Sequence, residues 1–399
     1  MGNRKVKKVS LIIIASIAIL FIAAITTLFM ISGIFKEPKY LEPWRKNYFQ
    51  QFDDPRVRLI AHGLLAANGH NMQPWKIRLD QDDPMAFYLY ADNERLTKEV
   101  DPLSRQMMIT QGTFLEYVKI AGDELGYEAE VTLFPGGSYD EHKLPQSMKD
   151  KPAAKVILTK AEPDSNSLYD YMFLPDTNRA AYQSAELTAG QISKLEVVNT
   201  DSNMSLKIYQ DQEDLDKLNE LAMRGANIEA GVTRVMRESD IIFRANEDQK
   251  NKYRYGFSVE GQGTSGIMLH LMQGLVTLFP SLNKGKAASN TFLQATQTSI
   301  DHTPAYAMII TKDNSRLDQV QSGMLYSRLI LEAHRLGIVM QPLSQVLEEY
   351  PEMKEAYDEI HSTYASDGST IQMLVRLGIA TKDVPLSMRR DVTDLIIQQ

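Results

Sequence analysis

The six-residue loop Asn68-Gly69-His70-Asn71-Met72-Gln73 gathers three side-chain amides, an imidazole and a glycine between a run ending LLAA and the pair Pro74-Trp75. Asn71 and Gln73 each present donors and acceptors, and Gly69 lets a backbone or a ligand approach closely. That set suits recognition of a flat polar heterocycle better than a phosphate or a metal ion. The same residues also suit a structural turn closed by an Asx cap, and taken alone they leave both readings open.

Other chemistries are narrowed by absence. The chain has 399 residues and no cysteine, so disulfides, thiolate metal sites and cysteine nucleophiles are excluded. The 7 histidines, at positions 62, 70, 142, 270, 302, 334 and 361, fall into no metal-ligand spacing, which argues against a protein-bound catalytic metal. No P-loop and no G-x-S-x-G is present. GQGTSG, Gly261 to Gly266, has the form of a dinucleotide loop, but FPSLNKGKAASN lacks the acidic residue expected about 20 residues on. It reads as a flexible connection. A net charge of -8 without a long basic stripe excludes the electrostatic footprint of a nucleic-acid binder.

The elements that must carry the loop are legible as patterns. DPRVRLIAHGLLAA has helical spacing from about Asp54, and PWKIRLD and MAFYLYAD alternate as strands, so the loop is a helix-to-strand junction. Ser104 to Gly126 reads as a glycine-ended helix followed by strands EAEVTLFP and AAKVILTKA. Further on, PAYAMIITKDN, SGMLYSRLILEAHRLG and IQMLVRLGIATKD read as strand, helix and strand. GTFLEYVKIAGDELG (112–126) and GMLYSRLILEAHRLG (323–337) share length, bounding glycines and a terminal Leu-Gly. Two related halves in tandem, 54–165 and 166–399, account for this, although any two glycine-capped amphipathic helices look alike. Between them, 211–225 and 233–250 read as polar-faced helices, and 279–299 as a looser stretch. The 227–300 region is either a cover over a site or ordinary packing.

The N-terminus, MGNRKVKK, precedes an uncharged apolar run from Val9 to Phe35 that is long enough to span a bilayer. Met30, Ile31 and Phe35 stand where a cleavable signal would carry small residues, so the run reads as an uncleaved signal anchor. Residues 1–8 are then cytoplasmic and 36–53 a polar tether. Arg4, Lys5, Lys7 and Lys8 ahead of the span place the body outside the cytoplasm at the cell membrane.

NGHNMQPWKIRL resembles the S-S-H-N-x-Q-P-W loop of the nitroreductase superfamily, in particular its Acg-like branch, in which two nitroreductase halves are fused. DPLSRQMMITQG, TNRAAY (177–182), GIVMQPLSQ (337–345) and RLGIATKDVPLSMRR (376–390) resemble further motifs of that branch in the same order, over about residues 54 to 395. The resemblance implies an α+β fold, a mixed and mainly antiparallel sheet flanked by helices, with the fused halves forming a pseudo-dimer around FMN. It implies that Asn68, Gly69 and Asn71 address the pyrimidine edge of the flavin with Gln73 nearby, and that the backbone of Met340, Gln341, Pro342 and Leu343 lies by N5. It further implies that Thr177, Arg179, Arg389 and Arg390 hold the phosphate. Guanidinium groups bind phosphate bidentately and stay charged.

Two positions depart from the pattern. Pro175 and Asp176 replace an Arg-Arg pair, which removes a phosphate contact, and Ala67-Asn68-Gly69 replaces Pro-Ser-Ser.

The implied activity is an FMN-dependent oxidoreductase working by ping-pong hydride transfer through flavin N5. NADH or NADPH is the donor in most relatives, and the acceptor is a small molecule such as a nitroaromatic or a quinone. The cofactor carries the chemistry, so no catalytic side chain is named. An extracytoplasmic body has no access to cytosolic NADPH, which brings in an alternative: a membrane-anchored protein that binds or sequesters FMN without turnover. A third reading is a scaffold that has lost its cofactor. The expected state is a monomer, because the tandem halves complete one site.

Overall fold

The computed structural model describes residues 2–397, apart from the side chains of 2–5 and 262. Helix α1 (Gly2–Ser32) carries the apolar run and is exposed over most of its length. The body begins with α2 (Pro55–Gly63), where Asp54 accepts from the Arg56 N–H and Pro55 supplies a backbone pre-set for the first turn. Strands β1 (Trp75–Leu79) and β2 (Ala86–Ala91) follow, then α3 (Arg105–Leu125), β3 (Tyr127–Leu133), α4 (Leu144–Asp150) and β4 (Ala154–Lys160).

The second series runs α5 (Ala189–Glu196), β5 (Met204–Tyr209), α6 (Gln212–Gly231), α7 (Thr233–Ile241), the two-residue strand β6 (Phe243–Arg244), α8 (Glu247–Tyr253) and its partner β7 (Phe257–Ser258). It continues through α9 (Gly266–Leu278), α10 (Lys286–Asp301), β8 (Ala305–Thr311), α11 (Arg316–Arg335), β9 (Val339–Pro342), α12 (Lys354–Tyr364) and β10 (Thr370–Gly378).

Two four-stranded sheets result, ordered β1-β2-β4-β3 and β5-β8-β10-β9, and every pairing in both is antiparallel. The order is the same in each: first, second, fourth, third. In each, a long helix joins the second strand to the third, α3 in one and α11 in the other. β8 and β10 are buried along their whole length, and core side chains pack on both faces of their sheet.

The two sheets are joined through α3 and α11, which cross in backbone contact. A Cβ on Gly112 would lie 1.8 Å from the Val320 carbonyl oxygen, and one on Gly323 would lie 1.9 Å from that of Ile109. The equivalent glycines of the two similar segments are therefore the crossing point. Ser327 Oγ donates to the Thr113 carbonyl (3.1 Å) and Arg328 to Glu116 (3.0 Å) beside it.

Three expectations change. Residues 36–53 are no free tether: they form two short 3₁₀ turns that bury Tyr40, Trp44 and Tyr48. The 233–250 helix breaks after Ile241, and Asn246 caps a new one by accepting from Gln249 N–H. Residues 286–301 form a regular helix, α10, whose few buried positions give it little apolar periodicity.

Candidate functional site

The 68–73 loop is held in backbone conformations that side chains rarely adopt. His70, Asn71 and Gln73 have φ of 55°, 50° and 48°, half of the six non-glycine residues with positive φ among those described. Each costs about 1–3 kcal/mol and persists only where its surroundings over-determine it. Here the surroundings are hydrogen bonds. Asn68 Oδ1 accepts from Gln73 N–H (2.8 Å), Asn68 Nδ2 donates to the Ala66 carbonyl, and Gly69 N–H donates to Thr110 Oγ1.

Two distant segments close on the loop. Asn71 Nδ2 donates to the carbonyls of Gly256 (3.2 Å) and Met388 (3.1 Å), while Gly256 N–H donates back to the Asn71 carbonyl. Gln73 Nε2 donates to the carbonyls of Arg254 (2.8 Å) and Met388 (3.1 Å), and Gln73 Oε1 accepts from Arg390 N–H (2.7 Å). The His70 ring lies 5.4 Å from that of Phe257. The 254–257 segment thus covers the loop from one side and 387–390 backs it from another.

In this structure four of the expected site residues direct hydrogen bonds into the protein. The polar atoms of Asn71 and Gln73 are turned into protein rather than towards a ligand. Arg389 is fully buried, donates to Asn71 Oδ1, Ser387 Oγ and the carbonyls of Leu65, Ala66 and Met388, and stacks 4.6 Å over Trp44. It also lies 3.7 Å from Asp176, one of the two residues that depart from the family pattern. Arg390 donates to the carbonyls of Gln73 and Asp394. Both arginines brace the loop, and burial lowers the pKa of each.

Arg179 differs from them. Its side chain is exposed to solvent, yet surrounding protein desolvates it enough to lower its guanidinium pKa. Protein therefore surrounds the group without covering it. His70 shares that setting: half-buried, it has its pKa pushed down to about 4, first by desolvation and then by the positive charge of Arg179. Among the described residues Arg179 makes no hydrogen bond; Tyr326 Oη, a buried hydroxyl in its electrostatic neighbourhood, is also unpartnered, as is Nε of Arg389, which shares the influence of Asp176 with it. Burial raises the Tyr326 pKa well above its ordinary value, so its hydroxyl stays a donor.

Thr177 is half-buried beside Arg179 in the chain. Met340 is buried, and its carbonyl accepts from Asn178 N–H (2.8 Å), which ties the 177–179 turn to β9. Gln341 is buried, its Oε1 accepting from Ser299 Oγ and Arg376 Nε, and Leu343 N–H donates to the Leu374 carbonyl. Pro342 is half-buried at the end of the same strand. Sequence reasoning missed Tyr326, which sits inside an amphipathic helix as an ordinary core aromatic would, and the part played by Asp176. His70 was visible as a member of the loop; its enclosure was not.

No protein-family model matches the chain. Two curated relatives from Mycobacterium tuberculosis, one from strain CDC 1551 / Oshkosh and one from strain ATCC 25618 / H37Rv, are each provisionally named NAD(P)H nitroreductase. Each is 20% identical over 343 residues, covering 85% of this chain and 90% of the relative. Among solved structures, an FMN-bound nitroreductase of Desulfitobacterium hafniense aligns at 10% identity and TM-score 0.34, over 59% of this chain and 98% of that one. An FMN-dependent nitroreductase of Mycobacterium smegmatis in complex with NADPH aligns at 14% identity and TM-score 0.33, over 55% and 92%.

Proposed function

We propose that this chain is a nitroreductase-like oxidoreductase that binds FMN between its two halves, 54–165 and 166–399. The observation that carries the reading is Arg179, exposed and without a hydrogen bond among the described residues, near His70 and the unpartnered buried hydroxyl of Tyr326. Unpaired buried donors are costly unless an acceptor meets them, an exposed guanidinium without a hydrogen bond is free to take an anion, and a flavin phosphate has that chemistry. The curated relatives carry names of the same activity, and the strained loop is the segment that resembles the family's flavin loop.

When bound, FMN would take hydride at N5 from NADH, NADPH or another reductant and pass electrons to a small acceptor, such as a nitroaromatic or a quinone, in ping-pong turnover. The chain's own residues bind and orient. Arg179 and Thr177 hold the phosphate, Asn68 and Gly69 shape the loop edge, and the Met340–Leu343 backbone forms the wall opposite. Asn71, Gln73, Arg389 and Arg390 keep the loop in its strained form. His70, neutral at physiological pH, adds no second positive charge.

We read α1 as an uncleaved single-pass anchor with the body outside the cytoplasm. Its last turn is built into the body: Ser32 is buried, Asn246 Nδ2 donates to the Ile31 carbonyl, and a Cβ on Gly274 would lie 2.4 Å from the Leu28 carbonyl oxygen. Cleavage would strip this packing. Outside the cytoplasm the reductant would be a quinol or another flavoprotein rather than cytosolic NADPH.

A second reading, FMN sequestration without turnover, is favoured by the cover. The two-way hydrogen bonding of Gly256 with Asn71 and the packing of Phe257 on His70 close one side of the loop.

The test is the visible spectrum of the detergent-solubilised full chain, recorded anaerobically before and after NADPH, NADH and a soluble quinol. Bound flavin that bleaches supports the oxidoreductase. Bound flavin that none of them bleaches supports sequestration. No flavin after addition of FMN overturns both.

A further inference from the structure

We propose that α9 and the short turn after it, Pro280–Asn283, form a second membrane-seated element, inserted in the hydrocarbon beside α1. This rests on the reading of α1 as a span. Helix α9, GIMLHLMQGLVTL, contains no charged residue. It packs on α1 in the opposite direction: the contact of Gly274 with Leu28 and the approach of His270 Nδ1 to Ser32 Oγ (3.5 Å) show that four steps forward on α9 are four steps back on α1. At about 1.5 Å per residue, Phe279 lies roughly 7 Å further along the span than Gly274. The candidate span covers Val6–Ser32, so this end of α9 runs beside its apolar part.

The side chains divide as such a position requires. The polar groups of α9 face the body or its own backbone: Gln273 Nε2 donates to Glu247 Oε1 (2.8 Å), His270 Nδ1 lies 3.0 Å from Gln273 Oε1, and Thr277 Oγ1 donates to the Gln273 carbonyl. Glu247 is itself neutralised by Lys250 and accepts from Tyr40 Oη. The outer side is apolar. Ile267, Met268, Leu278, Phe279 and Leu282 are each between 45% and 71% exposed. Exposed apolar patches mark interaction surfaces, and this one continues the exposed face of α1. The occupant is therefore lipid: a helix beside a span, with its own polar side chains satisfied within the protein, meets the condition for immersion in hydrocarbon. Lys284, which follows, lies beside Asp240 of α7, so its charge is met within the protein.

The consequence reaches the candidate site. Gly256 and Phe257, which cover Asn71 and His70, precede α9 by about ten residues, so a bilayer that seats α9 also seats the cover. The experiment uses the absence of native cysteine. Single variants Phe279→Cys, Leu282→Cys, Ile19→Cys and Val197→Cys of the full chain are labelled with an environment-sensitive nitrobenzoxadiazole probe. They are reconstituted in phosphatidylcholine–phosphatidylglycerol vesicles with and without doxyl-labelled lipid. The expected result is a blue shift and a loss of fluorescence at 279 and 282 comparable to the loss at 19, with no change at 197. Quenching at 19 without quenching at 279 and 282 overturns the proposal while leaving the anchor intact. No quenching at 19 overturns the anchor reading and the proposal with it.

Discussion

Arg179 and Arg390, 211 residues apart, look interchangeable in sequence; burial assigns them opposite duties. Arg179 is exposed and makes no hydrogen bond among the described residues, whereas Arg390 is buried and donates to the Gln73 and Asp394 carbonyls. Arg179→Ala is expected to weaken FMN binding by about 10- to 100-fold, the worth of a charge-assisted hydrogen bond, with little change in the apoprotein Tm. Arg390→Ala is expected to lower the apoprotein Tm first. Fluorescence titration and thermal melts of the two variants distinguish the roles. His70 gives a pH signature. Its folded pKa is depressed from 6.5 to about 4, by desolvation and then by Arg179, so the unfolded chain takes up the proton first. Stability from this group is present above about pH 6.5 and is lost as pH falls towards 4. His70→Phe, which keeps a ring against Phe257, should flatten that part of the acid limb in melts between pH 7 and 4. The amides of the 68–73 loop were legible as a polar cluster. Which way they point was not, because their partners lie at 254–256 and 388–390.

At the scale of elements, the α3–α11 crossing depends on two missing side chains. Gly112→Ala or Gly323→Ala puts a Cβ inside van der Waals contact of a backbone carbonyl, and neither helix can yield without moving its sheet. Overpacking of this kind costs about 1–3 kcal/mol, more where backbone must shift, and chemical denaturation of each variant should show the loss. A second expectation concerns α6. Glu229 is buried, faces Glu348, and each has a carboxyl oxygen without a partner. Desolvation raises the Glu229 pKa from 4.5 to about 7. The folded chain therefore keeps a proton that the unfolded chain has released, and stability declines as pH rises from about 4.5 to about 7. Glu229→Gln should stabilise the protein at pH 8, by about 3 kcal/mol at most and visible as a higher Tm, and leave its stability nearly unchanged at pH 4.5. The strands of both sheets were readable from alternation or apolar runs except two edge strands: β5, MSLKIY, of mixed burial, which pairs only with β8, and the four-residue β9, VMQP, too short to show a period. The α7–α8 break escaped notice because residues on either side of it are equally polar.

For the whole molecule, the anchor, the C-terminal arm and the loop form one connected frame. Arg389 N–H donates to the Tyr40 carbonyl, Trp44 Nε1 to the Ser387 carbonyl, and Arg389 and Gln73 both reach the Met388 carbonyl. The segment that follows α1 thus holds the segment that backs the loop. If the body is seated on the bilayer through α1 and α9, acceptors dissolved in lipid reach it at higher local concentration than water-soluble ones. With the flavin reduced, a long-chain quinone in vesicles is expected to reoxidise it faster than the short-chain analogue at equal bulk concentration, and detergent solubilisation should erase the difference. Stopped-flow flavin absorbance reads both rates.

The sequence by itself determined the periodic elements, their glycine ends, the apolar N-terminal run and the similarity of 112–126 to 323–337, since each is written in local spacing of apolar residues. It also carried the resemblance of the 68–73 loop to a flavin loop. Tertiary structure decided what those parts do to each other. Arg389 and Arg390 look like a solvated basic spot near the end of the chain, yet they are buried because carbonyls from residues 65, 66, 73 and 394 converge there. Arg179 looks no different in sequence and is left facing an open space. A hydrogen-bond partner hundreds of residues away leaves no local trace, and whether a guanidinium braces a loop or awaits an anion depends on that partner alone.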